Sequence, residues 1–169
     1  MHKLKVVSAD PLFHVQNALG EGPVWHPTEN RLYWVDIVAG DLYRSDPALI
    51  DFSKTHFNTS LGAFGFCSDG GFIFATGQGF GLWNVHQEDP RILWNPLPDR
   101  KDVRMNDGKV DPAGRFWAGS MDFNQQEGQL YRLDPDGQQH ILLHEIGISN
   151  GLGWSPNCAT MYYTDSYRS

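Results

Sequence analysis

The segment Gly40-Asp41-Leu42-Tyr43-Arg44-Ser45-Asp46-Pro47 recurs 88 residues later, with six of its eight residues unchanged, as Gly128-Gln129-Leu130-Tyr131-Arg132-Leu133-Asp134-Pro135. Each copy predicts one β-strand that is followed by a turn. A weaker copy, Gly81-Leu82-Trp83, lies between the two. The chain is therefore built from a repeated unit, and 88 residues correspond to two such units.

Four turn residues give the length of the unit. They are Pro27, Asp69, Pro112 and Pro156, separated by 42, 43 and 44 residues. A run of aromatic and branched residues follows each turn and predicts a strand, at residues 31–37, 72–76, 115–119 and 161–165. The repeated segment adds a further strand, and a final strand such as His140-Ile141-Leu142-Leu143 precedes the next unit. Four strands in a unit of this length are typical of a blade of a β-propeller.

The domain organisation follows from counting units. Three units are complete, and the fourth stops after about two strands, so residues 1–169 are expected to form a single, partial propeller domain that is truncated at its C-terminal end. Residues 48–56 and 95–103 are polar and contain proline, and they are interpreted as loops between blades. Open blade edges predict self-association of the isolated chain, and pairing with a second copy is the alternative to truncation.

Composition excludes several classes of protein. The 169 residues carry a formal net charge of −7 and contain no cluster of Lys or Arg, so binding to nucleic acids or to anionic membranes is not expected. The N-terminus lacks the apolar core of a signal peptide and no segment is long enough to span a bilayer, which predicts a cytoplasmic protein. Cys67 and Cys158 match no zinc or disulfide pattern and are interpreted as buried free thiols.

The channel of the propeller is the predicted functional site. The residues six positions before the four turns are Glu21, Ala63, Asn106 and Asn150, and equivalent positions of all blades converge on the central axis. A carboxylate and two amides form an oxygen donor set that suits Ca²⁺, Mg²⁺ or Mn²⁺, with Zn²⁺ also possible. The alternative is that Glu21 is an exposed loop residue and that both asparagines belong to turns.

Arg104 is the cation beside this set. It lies two residues before Asn106 and can contact substrate hydroxyl or carboxylate groups, although an ordinary surface arginine remains the alternative. Other chemistries have little support, since the sequence has no Gly-x-Ser-x-Gly segment, no paired histidines with helical spacing and no phosphate-binding glycine loop. Trp25, Trp34, Trp117 and Trp154 recur in the register and are interpreted as core residues.

Four motifs give a specific resemblance, and together they extend over nearly the whole chain in order. They are residues 19–25 (LGEGPVW), 32–37 (LYWVDI), 104–122 (RMNDGKVDPAGRFWAGSMD) and 148–156 (ISNGLGWSP). In these motifs the chain strongly resembles the SMP-30/gluconolactonase/LRE family of regucalcin-like sugar lactonases. The resemblance implies a six-bladed, all-β propeller of four-stranded blades, of which this chain covers about three and a half.

The resemblance also implies an activity and roles for individual residues. The family hydrolyses sugar lactones to aldonic acids with one divalent cation, which polarises the lactone carbonyl. By position, Glu21 and Asn150 resemble metal ligands, and Asn106 and Arg104 resemble substrate-binding residues, with Asn106 also close to the metal. Asn124 is the nearest match to a substrate-binding glutamate of some relatives. The remaining ligand, an aspartate that also acts as general base, is expected beyond Ser169, so no catalytic residue is assigned within the chain.

Three alternatives to lactone hydrolysis stay open. The chain can belong to a non-catalytic propeller that binds Ca²⁺ or a partner protein, or it can be an inactive fragment because the aspartate is missing. A related propeller enzyme with a different substrate, such as a phosphotriester or an amine, is the third interpretation. The retention of Glu21, Arg104, Asn106 and Asn150 favours the sugar lactonase.

Overall fold

The structure is a computed structural model and describes Ser8, Pro11 and residues 14–48, 50–84, 90–100, 102–122 and 127–168. These residues form fourteen strands and no helix. In chain order the strands are β1 (Gly20–His26), β2 (Arg31–Asp36), β3 (Asp41–Ser45), β4 (Phe52–His56), β5 (Leu61–Phe66), β6 (Phe72–Thr76), β7 (Gly79–Trp83), β8 (Arg91–Trp94), β9 (Val103–Val110), β10 (Phe116–Asp122), β11 (Gly128–Leu133), β12 (Gln139–Ile146), β13 (Ser149–Trp154) and β14 (Met161–Asp165).

The strands form four antiparallel sheets, each of which uses strands that are consecutive in the chain. Blade 1 consists of β1 to β4, blade 2 of β5 to β8 and blade 3 of β9 to β12, while blade 4 consists of β13 and β14. The first strands of blades 2, 3 and 4 lie side by side, with β9 packed between β5 and β13. The all-β prediction, the four-stranded unit and the count of three and a half units are therefore confirmed.

One loop prediction was wrong. Residues 52–56, which lie within the expected loop at 48–56, form β4, and Lys54 and Thr55 pair with Tyr43 and Leu42. The strand was missed because it is the outer edge of blade 1 and most of its residues are exposed, so it has no apolar run. Of the second expected loop, the described residues 95–100 and 102 lie outside strands, and β9 begins at Val103.

Aromatic side chains fill the spaces between neighbouring blades. Between blades 1 and 2, Tyr33 lies 5.7 Å from Phe72, and Phe57 lies 4.9 Å from Phe74, measured between ring centroids. Between blades 2 and 3, Phe80 meets Phe116 edge to face at 5.8 Å. The same register that repeats in the sequence thus buries an aromatic layer between blades 1 and 2 and another between blades 2 and 3.

Two predictions of burial need correction. Cys158 is exposed and lies in the turn between β13 and β14 with a φ of 57°, while Cys67 is only partly buried, so neither thiol is a core residue. Of the recurring tryptophans, Trp34 is buried as predicted, Trp117 and Trp154 are only partly buried, and Trp25 is 45% exposed on β1. Trp25 differs because the inner strand of blade 1 has no neighbouring blade on that side among the described residues.

The described part of the chain contains no helix with the length and apolarity needed to cross a membrane.

Candidate metal and substrate site

A β-bulge interrupts every inner strand close to the predicted channel position. The ladder loses its regular pairing after Glu21 in β1, before Ala63 in β5 and after Asn150 in β13, and it skips Asn106 and Asp107 in β9. A bulge bends its strand and redirects the side chains beside it, and it is often found next to functional sites. All four inner strands therefore have the same irregularity, a β-bulge, beside the predicted channel position.

Glycines make two of these bulges possible. Gly22 directly follows Glu21 with a φ of 58°, and Gly151 directly follows Asn150 with a φ of 55°. Residues with a Cβ atom rarely adopt this left-handed conformation, whereas glycine adopts it readily. The Glu-Gly and Asn-Gly pairs of the sequence are thus explained by the backbone at the two predicted ligands.

Hydrogen bonds connect Asn106 of blade 3 to blade 4. Asn106 is 6% exposed, and its Nδ2 donates to the Ser149 carbonyl oxygen at 2.7 Å and to Asn150 Oδ1 at 3.2 Å. Asn150 Nδ2 in turn donates to Ser166 Oγ at 3.0 Å. The two asparagines, 44 residues apart in the sequence, are therefore brought into direct contact, as the repeat register predicted.

Arg104 extends this network. Its Nη1 donates to Asn106 Oδ1 at 2.6 Å and to the Met105 carbonyl oxygen at 3.0 Å. Burial lowers the pKa of the Arg104 guanidinium, and the negative charge of Glu21 acts in the opposite direction. Arg104, Asn106 and Asn150 are thus joined by direct hydrogen bonds, and the charge of Glu21 acts on Arg104.

Asp107 is a member of the network that the sequence prediction missed. Its Oδ2 accepts a hydrogen bond from the Gly151 amide at 2.8 Å, and its Oδ1 accepts one from the Gly108 amide at 2.8 Å. The carboxylate thus links blade 3 to the backbone directly after Asn150. Its position next to Asn106 in the sequence was the available signal, but an Asn-Asp-Gly segment is also typical of an ordinary turn.

The donor chemistry of the gathered residues fits a hard divalent cation. Glu21 contributes an exposed carboxylate, and the amide oxygens of Asn106 and Asn150 each accept one hydrogen bond and retain a second lone pair. Oxygen donors of this kind are the ligands that Ca²⁺, Mg²⁺ and Mn²⁺ prefer. Within the described ranges, no three His, Cys, Asp or Glu side chains form a potential metal-binding group, so the candidate set depends on the two amides.

Asn124, the remaining predicted substrate contact, lies outside the described residues. Its role therefore stays a prediction.

Comparison with known proteins identifies the family. A sequence model described as the SMP-30/Gluconolactonase/LRE-like region matches residues 19–169, which is most of the chain. The chain belongs to this family. The resemblance seen in the four sequence motifs is thereby confirmed.

Related proteins in the family include several lactonases. The chain is 40% identical over 153 residues to the 6-deoxy-6-sulfogluconolactonase of Pseudomonas putida, a match that covers 89% of this chain and 52% of that protein. It is 34% identical over 154 residues to human regucalcin, with 87% of this chain and 52% of that protein covered. The chain thus spans about half the length of the curated relatives it matches.

A solved structure supports the fold in the same way. Regucalcin from Agrobacterium tumefaciens strain C58, described as a calcium-binding protein, superimposes with a TM-score of 0.85 at 25% identity. The superposition covers 92% of this chain and 53% of that one. The four sheets are therefore confirmed as blades of a family propeller.

Proposed function

We propose that the complete protein containing this chain is a sugar lactonase that hydrolyses an aldonolactone to the aldonic acid and depends on a divalent cation. The observation that carries the proposal is the continuous hydrogen-bonded path from Arg104 through Asn106 to Asn150, with Glu21 in electrostatic range. This arrangement combines oxygen donors for a cation with a guanidinium for a polar substrate. Family membership and relatives that are named lactonases support the reaction class.

Each residue has a distinct proposed role. Glu21 and Asn150 hold the cation, which when bound supplies Lewis-acid polarisation of the lactone carbonyl. Asn106 lies between the cation ligands and Arg104, so its amide both orients Arg104 and faces the substrate. The Arg104 guanidinium presents planar N–H donors to the ring oxygens and hydroxyl groups of the sugar. The general base is proposed to come from a part of the propeller outside residues 1–169.

The substrate is a sugar lactone, and its substituents decide between closely related enzymes. The relative from Pseudomonas putida is named for a sulfonated gluconolactone, whereas others are named as sugar lactone lactonase or pentonolactonase. A panel that includes gluconolactone, a pentonolactone and a 6-sulfonated lactone therefore addresses the choice. Asn124 is proposed as a further substrate contact, and Asn124→Ala is expected to change the ranking within the panel without abolishing hydrolysis.

Acid release from this panel tests the function in the complete protein. Hydrolysis is expected to be abolished by EDTA and restored by adding back Ca²⁺, Mn²⁺, Mg²⁺ or Zn²⁺. Glu21→Ala is expected to reduce kcat/KM by at least about 100-fold, because changes to groups that merely support a metal ligand already cost 10- to 100-fold. Glu29→Ala, which removes an exposed carboxylate of blade 1, is the matched control. Unchanged hydrolysis in Glu21→Ala or in EDTA contradicts the assignment.

A second candidate is a non-catalytic propeller that binds Ca²⁺. The specific observation in its favour is the Agrobacterium tumefaciens relative, which is described as a calcium-binding protein. This function predicts that Ca²⁺ binds in a calorimetric titration and that Glu21→Ala weakens the binding, while no lactone of the panel is hydrolysed. The two candidates therefore share a cation site and differ only in the turnover of lactone.

A further inference from the structure

Two carboxylates, the buried Asp36 and the partly buried Asp165, hold the loops that lead to the predicted ligands. In blade 1, Asp36 at the end of β2 accepts hydrogen bonds from the backbone amides of Ala18 at 2.6 Å and Leu19 at 3.1 Å. It also accepts a hydrogen bond from the Ala39 amide, just after β2, at 3.1 Å. The carboxylate thus ties the segment before Glu21 to the end of the second strand of its blade.

Asp165 repeats this arrangement in blade 4. At the end of β14 it accepts hydrogen bonds from the backbone amides of Gly147 at 3.0 Å and Ile148 at 2.9 Å, and from the Tyr167 amide at 3.1 Å. The equivalence extends to single atoms, because in both blades Oδ2 binds the first amide and Oδ1 binds the other two.

The spacing to the predicted ligands is the same in both blades. Asp36 lies fifteen residues after Glu21, and Asp165 lies fifteen residues after Asn150. In each case the amides that it binds belong to the residues three and two positions before the ligand. Both blades also share a backbone hydrogen bond beside this contact. The Ile37 amide donates to the Leu19 carbonyl oxygen in blade 1, and the Ser166 amide donates to the Ile148 carbonyl oxygen in blade 4.

The other two blades use different contacts at this place. In blade 2, Thr76 ends β6, and its hydroxyl accepts a hydrogen bond from the Gln78 amide and donates to the Gly79 carbonyl oxygen. In blade 3, Asp122 ends β10 and accepts hydrogen bonds from the Glu127 amide and from Arg100 Nη2, while the Val103 amide, three positions before Asn106, donates to the Arg100 carbonyl oxygen. Among the described residues, a carboxylate that binds the amides three and two positions before the channel residue is therefore found in the two blades that carry Glu21 and Asn150, the predicted direct metal ligands.

The physical effect of the contact is to fix the backbone. Hydrogen bonds from amides to an ionised carboxylate are shorter and stronger than those between neutral groups. Burial raises the pKa of Asp36, but the hydrogen bonds from the amides of Ala39, Ala18 and Leu19 lower it by more. The pKa of Asp36 is therefore lowered overall, and the carboxylate is ionised at neutral pH. Two such bonds leave the segment before each ligand little freedom to move.

We propose that Asp36 and Asp165 are positioning residues that hold the two loops preceding β1 and β13 and thereby place the Glu21 and Asn150 side chains for cation binding. This inference rests on the proposed function, because it requires that Glu21 and Asn150 bind a cation. In this role Asp36 and Asp165 act through the backbone before Glu21 and Asn150.

Asp36→Asn and Asp165→Asn in the complete protein test the inference. Each substitution keeps the size of the side chain but replaces one acceptor oxygen by an NH₂ group, which cannot accept from an amide. The dissociation constant for Ca²⁺ or Mn²⁺, measured by calorimetry, is expected to rise about 10- to 100-fold, as is typical when the support of a metal ligand is removed. At saturating cation, kcat is expected to recover.

Asp111→Asn is the matched control. Asp111 is buried like Asp36, and it accepts hydrogen bonds from two backbone amides, those of Ala113 and Arg115. It lies in the turn after β9, however, and therefore at the opposite end of the inner strand from the loop that leads into that strand. Its loss is expected to lower stability while the dissociation constant for the cation stays within about twofold of wild type. If either asparagine variant fails to fold, Asp36→Glu and Asp165→Glu replace it, because they keep the charge and displace the carboxylate by one methylene group.

The outcomes separate this inference from the proposed function. If the wild-type protein binds no cation, both are overturned. If the wild type binds a cation and Asp36→Asn and Asp165→Asn bind it as tightly as Asp111→Asn does, only the positioning role is overturned. Faster hydrogen exchange at the amides of residues 18, 19, 147 and 148 in the weak-binding variants is the structural signature expected of the proposed mechanism.

Discussion

Blades 2 and 3 have the same strand order, yet their inner strands carry different residues to the channel. β5 of blade 2 is almost wholly buried and apolar, and Ala63 pairs with Ala75 where Glu21 and Asn150 pair with Val35 and Thr164 in their blades. β9 of blade 3 carries Arg104 and Asn106 in the corresponding region. Both strands contain a bulge there.

This difference shows that the fold depends mainly on the aromatic residues between the blades, whereas the candidate site depends on the polar residues of the inner strands. The aromatic residues between the blades are alike in both cases, and these hold the sheets together. The channel position, by contrast, is an alanine packed in the core in blade 2 and the hydrogen-bonded Asn106 in blade 3. Substitutions in the core of blade 2 should therefore change stability, and substitutions of the polar residues Arg104 and Asn106 of β9 should change function.

The largest expected effect is on the core of blade 2. Phe74 is fully buried against Phe57 and Trp83, and Phe74→Ala is expected to lower the free energy of unfolding by about 3–5 kcal/mol. Phe52→Ala, at a phenylalanine that is 44% exposed on β4, should cost less than half as much. Urea unfolding of the complete protein measures both. Equal losses in the two variants contradict the assignment of the core.

Asn106→Ala makes blade 3 resemble blade 2 and has the next largest effect. It removes the contacts of Asn106 with Arg104, Ser149 and Asn150, so kcat/KM for lactone hydrolysis is expected to fall by about 100-fold, equivalent to roughly 2.7 kcal/mol. Asn106→Asp keeps the oxygen beside the Arg104 guanidinium but loses the donor to Ser149 and Asn150, so its activity relative to Asn106→Ala separates the two sets of contacts. An alanine variant with wild-type kinetics shows that Asn106 belongs to the packing alone.

Ala63→Asn is the converse change. Ala63 is 3% exposed and lies in the core between blades 2 and 3, so an amide placed there without a partner is expected to lower the free energy of unfolding by about 1–3 kcal/mol. Lactone hydrolysis and cation affinity should not increase, since the proposed site does not require a polar residue at the channel position of blade 2. Thermal unfolding and the lactone assay measure the two expectations. Ala63→Ser, with a smaller polar group, should show a smaller loss.

The contrast between the blades also explains what was predictable from the sequence. Turns and aromatic runs repeat with the blade, so the propeller and the meeting of Asn106 with Asn150 were predictable. The edge strand β4 was not, because its exposed residues carry no apolar pattern. Asp36, Asp107 and Asp165 were missed as members of the site because their contacts are with backbone amides, and side-chain patterns do not show which amides a carboxylate meets.

Arg104→Lys tests whether the site needs the planar guanidinium group of Arg104 or only its positive charge. Arg104 Nη1 donates to both Asn106 Oδ1 and the Met105 carbonyl oxygen, which leaves the other nitrogens of the guanidinium for the substrate. The single ammonium group of lysine cannot keep these two contacts and bind the substrate as well. KM for the lactone is expected to rise about 10-fold, roughly 1.4 kcal/mol, with a smaller change in kcat. Arg115→Lys, at an arginine of blade 3 that binds Asp111, is the control and should leave KM unchanged.

The smallest expected effect is a pH dependence of stability that depends on Asp111 of blade 3. Burial raises the pKa of Asp111, but hydrogen bonds from Trp117 and Arg115 and from the Ala113 amide outweigh it, so its pKa in the folded protein is lowered. Because the folded pKa lies below the unfolded value of about 3.9, the carboxylate contributes stability above that pH. The contribution is lost as the pH falls through the folded pKa. Asp111→Asn should therefore be less stable than wild type at pH 7 in urea unfolding, and the difference should shrink below about pH 4. A difference that stays constant from pH 7 to the acid limit shows that the loss comes from packing and not from the charge.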